Sequence, residues 1–233
     1  MENLLYEYMN RRFNEGFELI SSPSDPGPVI TISRQAGCGA SRLAHDLCKV
    51  LNENLVKNGK PEVWHFINHE ILEQAAEKLE VDPAKLDRVI TDKERGIMDE
   101  IVEALTSHIH KSDHKIMKTT QGVIRQIAEK GHVIIVGRGG AVVNQHIVRA
   151  LHLRIEAPLE WRIGEIMKKL QYSRGYATEY VKTVDEHRHM YVQKLAHGIS
   201  PDSIYDAILN PSKFSHQQMV AVILSMASAK GLF

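Results

Sequence analysis

The chain is 233 residues long and carries 29 basic and 29 acidic side chains, so its formal net charge at neutral pH is zero. That balance gives no reason to expect a general nucleic-acid or membrane-surface binder, and no apolar run approaches the ~20 residues that a bilayer span needs. The length suffices for one large α/β domain or two smaller ones.

Residues 4 to 19 carry apolar side chains at Leu4, Leu5, Tyr8, Met9 and Phe13, the stripe of an amphipathic helix. That stripe needs a partner surface, either the protein's own sheet or a second subunit, so a homodimer through this helix is one of two expectations. The start Met-Glu-Asn-Leu-Leu-Tyr-Glu lacks the basic and apolar regions of a signal peptide. Ser-Ser-Pro-Ser-Asp-Pro-Gly-Pro (21 to 28) cannot continue a helix and reads as a linker. The expected organisation is therefore a helix and linker over 1–28 and one domain over 29–233.

Val29 to Ser33 is a short apolar strand, followed by a glycine-bearing turn and a one-sided helix from Ser41 to about Asn58. Strand, glycine turn and helix start place backbone N–H groups and a helix dipole where a phosphate would sit. Against the phosphate-loop pattern G-x-x-x-x-G-K-[ST], residues 34 to 41 read R-x-x-x-x-G-A-S. Gly39 and Ser41 match, while Arg34 stands at the first glycine and Ala40 at the lysine. The anion cradle is expected to be intact with its usual cation missing; a plain tight turn is the alternative.

Val63 to Ile67 is a second strand, Glu70 to Leu79 a helix, and residues 82 to 130 are helical by periodicity, with breaks near Asp82-Pro83 and Ser112-Asp113. His132 to Gly137 is a third strand, apolar enough to be buried on both faces. Leu151 to Ala157 is a fourth, and Pro158 is placed to open the next helix. Charged helices fill 159 to 195, Tyr205 to Leu209 is a fifth strand, and 215 to 230 is a closing helix.

Five strands separated by helices imply parallel βαβ units and an open sheet covered on both faces. Ligands of such sheets bind beyond the carboxyl ends of the strands, where Arg34, Asn68 and Arg138 fall. Cys38 and Cys48 sit on one loop-helix unit too far apart to bridge, and free thiols in a reducing cytoplasm are expected. Cys38 reads as a small buried loop residue, with a redox switch at a helix N-terminus as the alternative. His108, His110 and His114 cluster, as do His187 and His189, but no cysteine or carboxylate completes a zinc-like set. Trp64 and Trp161 read as core or hinge packing.

ITISRQAGCGASRLA, IIVGRGGAVV (134 to 143), IEAPLEWRI (155 to 163), VDEHRHMY (184 to 191) and YDAILNPSKFS (205 to 215) occur together and in order. With these five blocks the chain, over about residues 29 to 230, resembles the cytidylate kinase-like family of P-loop nucleoside monophosphate kinases. The resemblance implies a three-layer P-loop kinase fold with a five-stranded parallel sheet, a helical monophosphate-binding insertion at about 68–115 and a lid at about 170–180. It implies transfer of the ATP γ-phosphoryl group, with Mg²⁺, to a nucleoside monophosphate of cytidine type, with no nucleic-acid polymer or membrane as partner.

The resemblance also implies roles residue by residue. Gly37, Cys38, Gly39, Ala40 and Ser41 fall on the phosphate loop, and Ser41 is positioned to reach Mg²⁺. Arg138 matches the arginine that holds the acceptor monophosphate. Arg162 matches the arginine of the helix leading into the lid, Asp185 and Arg188 match the Asp-x-x-Arg pair behind it, and Arg174 falls at the lid tip. Asn68 and Ser33 stand where related kinases often carry aspartates, and Gly139 replaces the aspartate of Gly-Arg-Asp. With Ala40 in place of the lysine, Arg34 or Arg42 is the candidate surrogate cation. Without the resemblance, Arg162, Asp185 and Arg188 would read as solvated ion pairs on charged helices. Two further readings stay open: a nucleotide-binding regulatory protein with impaired catalysis, and a kinase for a small molecule other than a nucleotide.

Overall fold

The computed structural model describes residues 26–61, 63–68, 121–122, 124–196 and 201–233. The amphipathic segment 4–19, the helix expected at Glu70–Leu79, the insertion beyond Asn68 and the histidines at 108, 110 and 114 lie outside them. All five strands belong to the compact unit formed by Gly16–His69 and Ile124–Phe233.

The strands are β1 (Val29–Arg34), β2 (His65–Ile67), β3 (Val133–Val136), β4 (Ala150–Ile155) and β5 (Ala207–Leu209). They form one sheet in the order β2-β3-β1-β4-β5 with every pairing parallel. The central strand β1 is Val-Ile-Thr-Ile, buried on both faces as a parallel strand between helices must be. Both edge strands, β2 and β5, are three residues long.

The helices are α1 (Ala40–Lys57), α2 (124–130), α3 (Gly140–Val143), α4 (Leu159–Leu170), α5 (Arg174–Ala196) and α6 (His216–Ala229). On one face of the sheet, Leu43, Leu47 and Leu51 of α1 and Met219 and Ile223 of α6 pack on Ile30, Ile32, Ile134 and Leu153. The spacing of these apolar residues is what made α1 legible, and a capping box starts α6: Ser215 Oγ accepts from the Gln218 N–H and Gln218 Oε1 from the Ser215 N–H. On the opposite face the short α3 lies close to β3 and β1, with Gly140 against Ile135. The four-residue α3 was not foreseen, because one helical turn is too short to show a period. The charged region 159–195 is two helices that close a hairpin around Ile163, Ile166, Ala177, Val181 and Val184. Gln171, at φ 57, ends the first of them, so the segment 170–180 expected as a lid falls on the three-residue tip of a helical hairpin and the start of its second arm.

His152, on β4, is a buried polar residue hydrogen-bonded through Nδ1 to Thr31 Oγ1 at 2.8 Å. Burial, partly countered by the charge of Asp206, lowers its pKa from 6.5 to about 4. The unfolded chain therefore binds this proton near pH 6.5 and the folded chain only near pH 4, so stability falls as pH drops through that window. The full loss is about 3 kcal/mol. Thermal melts of the wild type and His152→Asn at pH 7 and pH 4.5 are expected to show a smaller acid-induced drop in the variant; equal drops would place the acid sensitivity elsewhere.

Candidate functional site

The turn between β1 and α1 is held from several directions. The Gln35 N–H donates to the Ile155 carbonyl at 3.0 Å, and Gln35 Oε1 accepts from the Ala157 N–H at 3.1 Å, which ties the turn to the end of β4. Asp185 of α5 accepts the Ala36 N–H through Oδ1 at 2.7 Å and Arg162 Nη1 through Oδ2 at 2.5 Å. Arg162 of α4 also donates through Nη1 to the Ala36 carbonyl at 3.3 Å and through Nε to the Ala157 carbonyl at 2.9 Å. Arg162 is only 6% exposed and Asp185 is half-buried, so the solvated pair that its charged helix suggests is instead a largely desolvated one. Gly37 follows at φ +84, and a methyl group there would stand 2.8 Å from the Arg162 carbonyl oxygen. Only glycine lets the turn lie on the start of α4 in this conformation.

Gly39, also left-handed, precedes the first turn of α1, and no side chain caps that end. The N–H groups at Ala40 and Ser41 consequently have no intrahelical acceptor and form the positive end of the helix dipole. Ser41 is exposed beside them, while Ala40 is 4% exposed and belongs to the core cluster. The position that the phosphate-loop pattern gives to lysine is thus a core position here. Burial pushes the Cys38 thiol up to about 11, the reverse of an activated thiolate, and both cysteines are buried with neither in a disulfide.

The second part of the site is the turn after β3. Gly137, Arg138 and Gly139 have φ values of 77, 52 and 66, three left-handed residues in a row. The Gly137 N–H donates to the Ile32 carbonyl at 3.0 Å and the Gly140 N–H to the Gly137 carbonyl at 2.9 Å, so the turn stays bound to β1. The Arg34 guanidinium lies on the bare face of Gly137, in the space a side chain would occupy. Arg188 arrives from α5, with its Nη1 buried and without a hydrogen-bond partner.

These three cations feel one another. Burial, then the charges of Arg188 and Arg138, lower the pKa of Arg34 from 12.5 to about 9. Burial lowers that of Arg188 too, with Asp185 acting against it. The carboxylate that acts on both, Asp185, is already bonded to Arg162 and Ala36. Three positive charges from β1, the β3 turn and α5 therefore converge next to an uncapped helix N-terminus, an arrangement suited to a polyanion.

Other expected residues stand apart from this cluster. The Arg42 side chain is 79% exposed, 3.9 Å from Asp46 on the next turn of α1. Arg174 opens α5 and bonds Glu160 of α4 at 2.5 Å on the surface. Asn68 follows β2, two strands from β1. Ser33 accepts a hydrogen bond from the Tyr205 hydroxyl at 3.1 Å. The sequence reading missed Tyr180, which lies near Arg34 and Arg188, and Tyr191, whose ring lies beside Gly139. The signal was available: Val184, Arg188, Tyr191 and Leu195 recur at steps of four, three and four, one stripe of a helix.

A model of the cytidylate kinase-like family matches residues 29–213. The chain belongs to that family. Among solved structures, an uncharacterized protein from Eubacterium ventriosum is similar with a TM-score of 0.61 at 18% identity, covering 86% of this chain and 98% of that one. A protein from Thermus thermophilus has a TM-score of 0.51 at 12% identity, covering 89% of this chain and 98% of its own. At such identities the likeness is one of fold. A curated uronate isomerase from Corynebacterium glutamicum is 24% identical over 132 residues, which are 54% of this chain, and the chain spans 24% of that relative's length.

For this cytidylate kinase-like chain, the loss of the aspartate after Gly-Arg has a steric counterpart. A side chain at Gly139 would run into Leu195 Cδ1, with the Tyr191 ring 3.6 Å from its Cβ. The Leu195 and Tyr191 side chains of α5 take up the space beside Gly139. Among the described residues, no helix is long and apolar enough to cross a membrane.

Proposed function

We propose that the chain is an ATP-dependent phosphotransferase acting on a nucleoside monophosphate, with cytidine-type acceptors (CMP or dCMP) favoured. The observation that carries this reading is the convergence of Arg34, Arg138 and Arg188 beside the uncapped start of α1, with the adjacent Asp185 committed to other partners. Phosphoryl transfer needs positioned positive charge more than it needs a protein nucleophile, because its transition state spreads negative charge over the equatorial oxygens. In this reading the N–H groups at Gly39, Ala40 and Ser41 hold the β-phosphate. Arg34 supplies the charge that Ala40 cannot. Arg138 and Arg188 hold the acceptor phosphate against the γ-phosphate and stabilise the charge that develops between them.

The exposed hydroxyl of Ser41 is the group beside the loop that suits Mg²⁺, whose remaining ligands would be phosphate oxygens and water. When bound, the ion neutralises phosphate charge and screens the donor from the acceptor. Buried Ala40 and the filled space at Gly139 favour a second reading, a nucleotide-binding protein that has lost turnover.

A coupled ADP-release assay across CMP, dCMP, UMP and AMP separates the two. Turnover is expected with CMP or dCMP above the others. Measurable ATP binding with no turnover on any acceptor would remove the kinase reading and leave the binder.

A further inference from the structure

The Ala36 peptide is held at both its polar ends by one ion pair. Its N–H goes to Asp185 Oδ1 at 2.7 Å, its carbonyl to Arg162 Nη1 at 3.3 Å, and the two side chains close the ring at 2.5 Å. Arg162 belongs to α4 and Asp185 to α5, so the two arms of the lid hairpin grip the phosphate loop between them. The grip is reinforced on either side. Ala36 packs in the apolar core of the hairpin, and Gly37 lies on the Arg162 backbone. This arrangement directs Asp185 at the protein. Both of its oxygens are engaged by the protein, and its partner Arg162 spends Nε on the Ala157 carbonyl.

We propose that Arg162 and Asp185 are positioning residues that clamp the Ala36 peptide, presetting the loop N–H groups for an anion and making loop and lid hairpin one mechanical unit. This role rests on the phosphate-binding reading of the loop. The lid base then does not swing onto bound nucleotide; it is already joined to the loop, and the order of one depends on the other. Fixing the donors beforehand removes their reorganisation cost from binding.

The sign of one substitution isolates the clamp from simple electrostatics. Asp185→Ala removes a negative charge near an anion site, which by Coulomb attraction alone would tighten binding. Loss of the clamp frees the Ala36 peptide and loosens binding, by about tenfold or more if a charge-assisted bond is lost. Arg162→Lys keeps the positive charge but cannot span Asp185 and both carbonyls, so it is expected to weaken binding in the same direction. The experiment is calorimetric titration of the full-length protein with inorganic tripolyphosphate, at a temperature where melting curves show each variant folded. Asp185→Asn, which retains one acceptor for the Ala36 N–H, serves as the milder variant and is expected to fall between. Amide exchange at Ala36 supplies a second readout, with protection lost in Asp185→Ala while β1 and β3 stay protected.

Equal or tighter binding by folded Asp185→Ala and Arg162→Lys would overturn the clamp and leave the phosphate reading standing. A wild type that binds no tripolyphosphate would instead overturn the phosphate reading, and the clamp's role would go with it.

Discussion

Arg34→Met is expected to lose about 10²–10³-fold in kcat/KM for ATP and at the same time to melt higher than the wild type when empty. The two effects share one cause. Arg34 is held on the bare face of Gly137 beside Arg138 and Arg188, with burial and repulsion disfavouring its charge. An unbranched apolar side chain of similar length fills the same space and relieves that repulsion, for a rise of roughly 2–4 °C in the empty protein. With ATP present the order should reverse, since the wild type gains more from its ligand. Arg42→Ala is the matched comparison. Its side chain is largely in solvent and meets Asp46 only at 3.9 Å, so a change below about threefold is expected. If the loss follows Arg42 instead, the surrogate cation sits on α1, and the cluster at Gly137 must hold acceptor phosphate alone.

Restoring the aspartate of Gly-Arg-Asp by Gly139→Asp is expected to destabilise the protein by about 2–3 kcal/mol, because an inserted side chain overpacks a filled site. The left-handed backbone at φ +66 contributes part of that cost, though aspartate tolerates it better than most residues. The rest comes from Leu195, whose Cδ1 lies where the new Cβ would go. Leu195→Ala alone is expected to cost about 2–4 kcal/mol as a cavity mutation. The double variant should then be more stable than the sum of the two single changes, by a coupling of about 1–2 kcal/mol. Chemical denaturation of the four proteins gives that coupling. Strict additivity would show that Leu195 does not exclude the aspartate.

The parts of this fold set by local spacing were legible. The apolar run of β3, the one-sided apolar stripe of α1 and the glycines after β1 each carry their own signature, and the strand ends pointed to Arg34 and Arg138. What escaped was set by distance in sequence. Arg162 and Asp185 lie on charged helices, and no local pattern announces that they meet around Ala36, 126 and 149 residues away. The fate of Ala40 was equally hidden: a small residue at a lysine position reads as a missing charge, and only packing reveals it as part of the core. The choice between Arg34 and Arg42 as the cluster residue depended on which side of the turn each leaves, a three-dimensional property of left-handed glycines. The short α3 fell below the length at which periodicity has meaning.

The two outermost strands have a consequence for assembly. Each offers three residues of ladder, and a strand pairing of that length gives too few backbone bonds to template another chain. Among the described residues, the sheet's edges are therefore blunted against edge-to-edge pairing by brevity in place of charge or proline. A second copy that associates with the described part of this chain therefore finds little edge ladder to pair with, and side chains on helices and loops are left as the larger surface it could read.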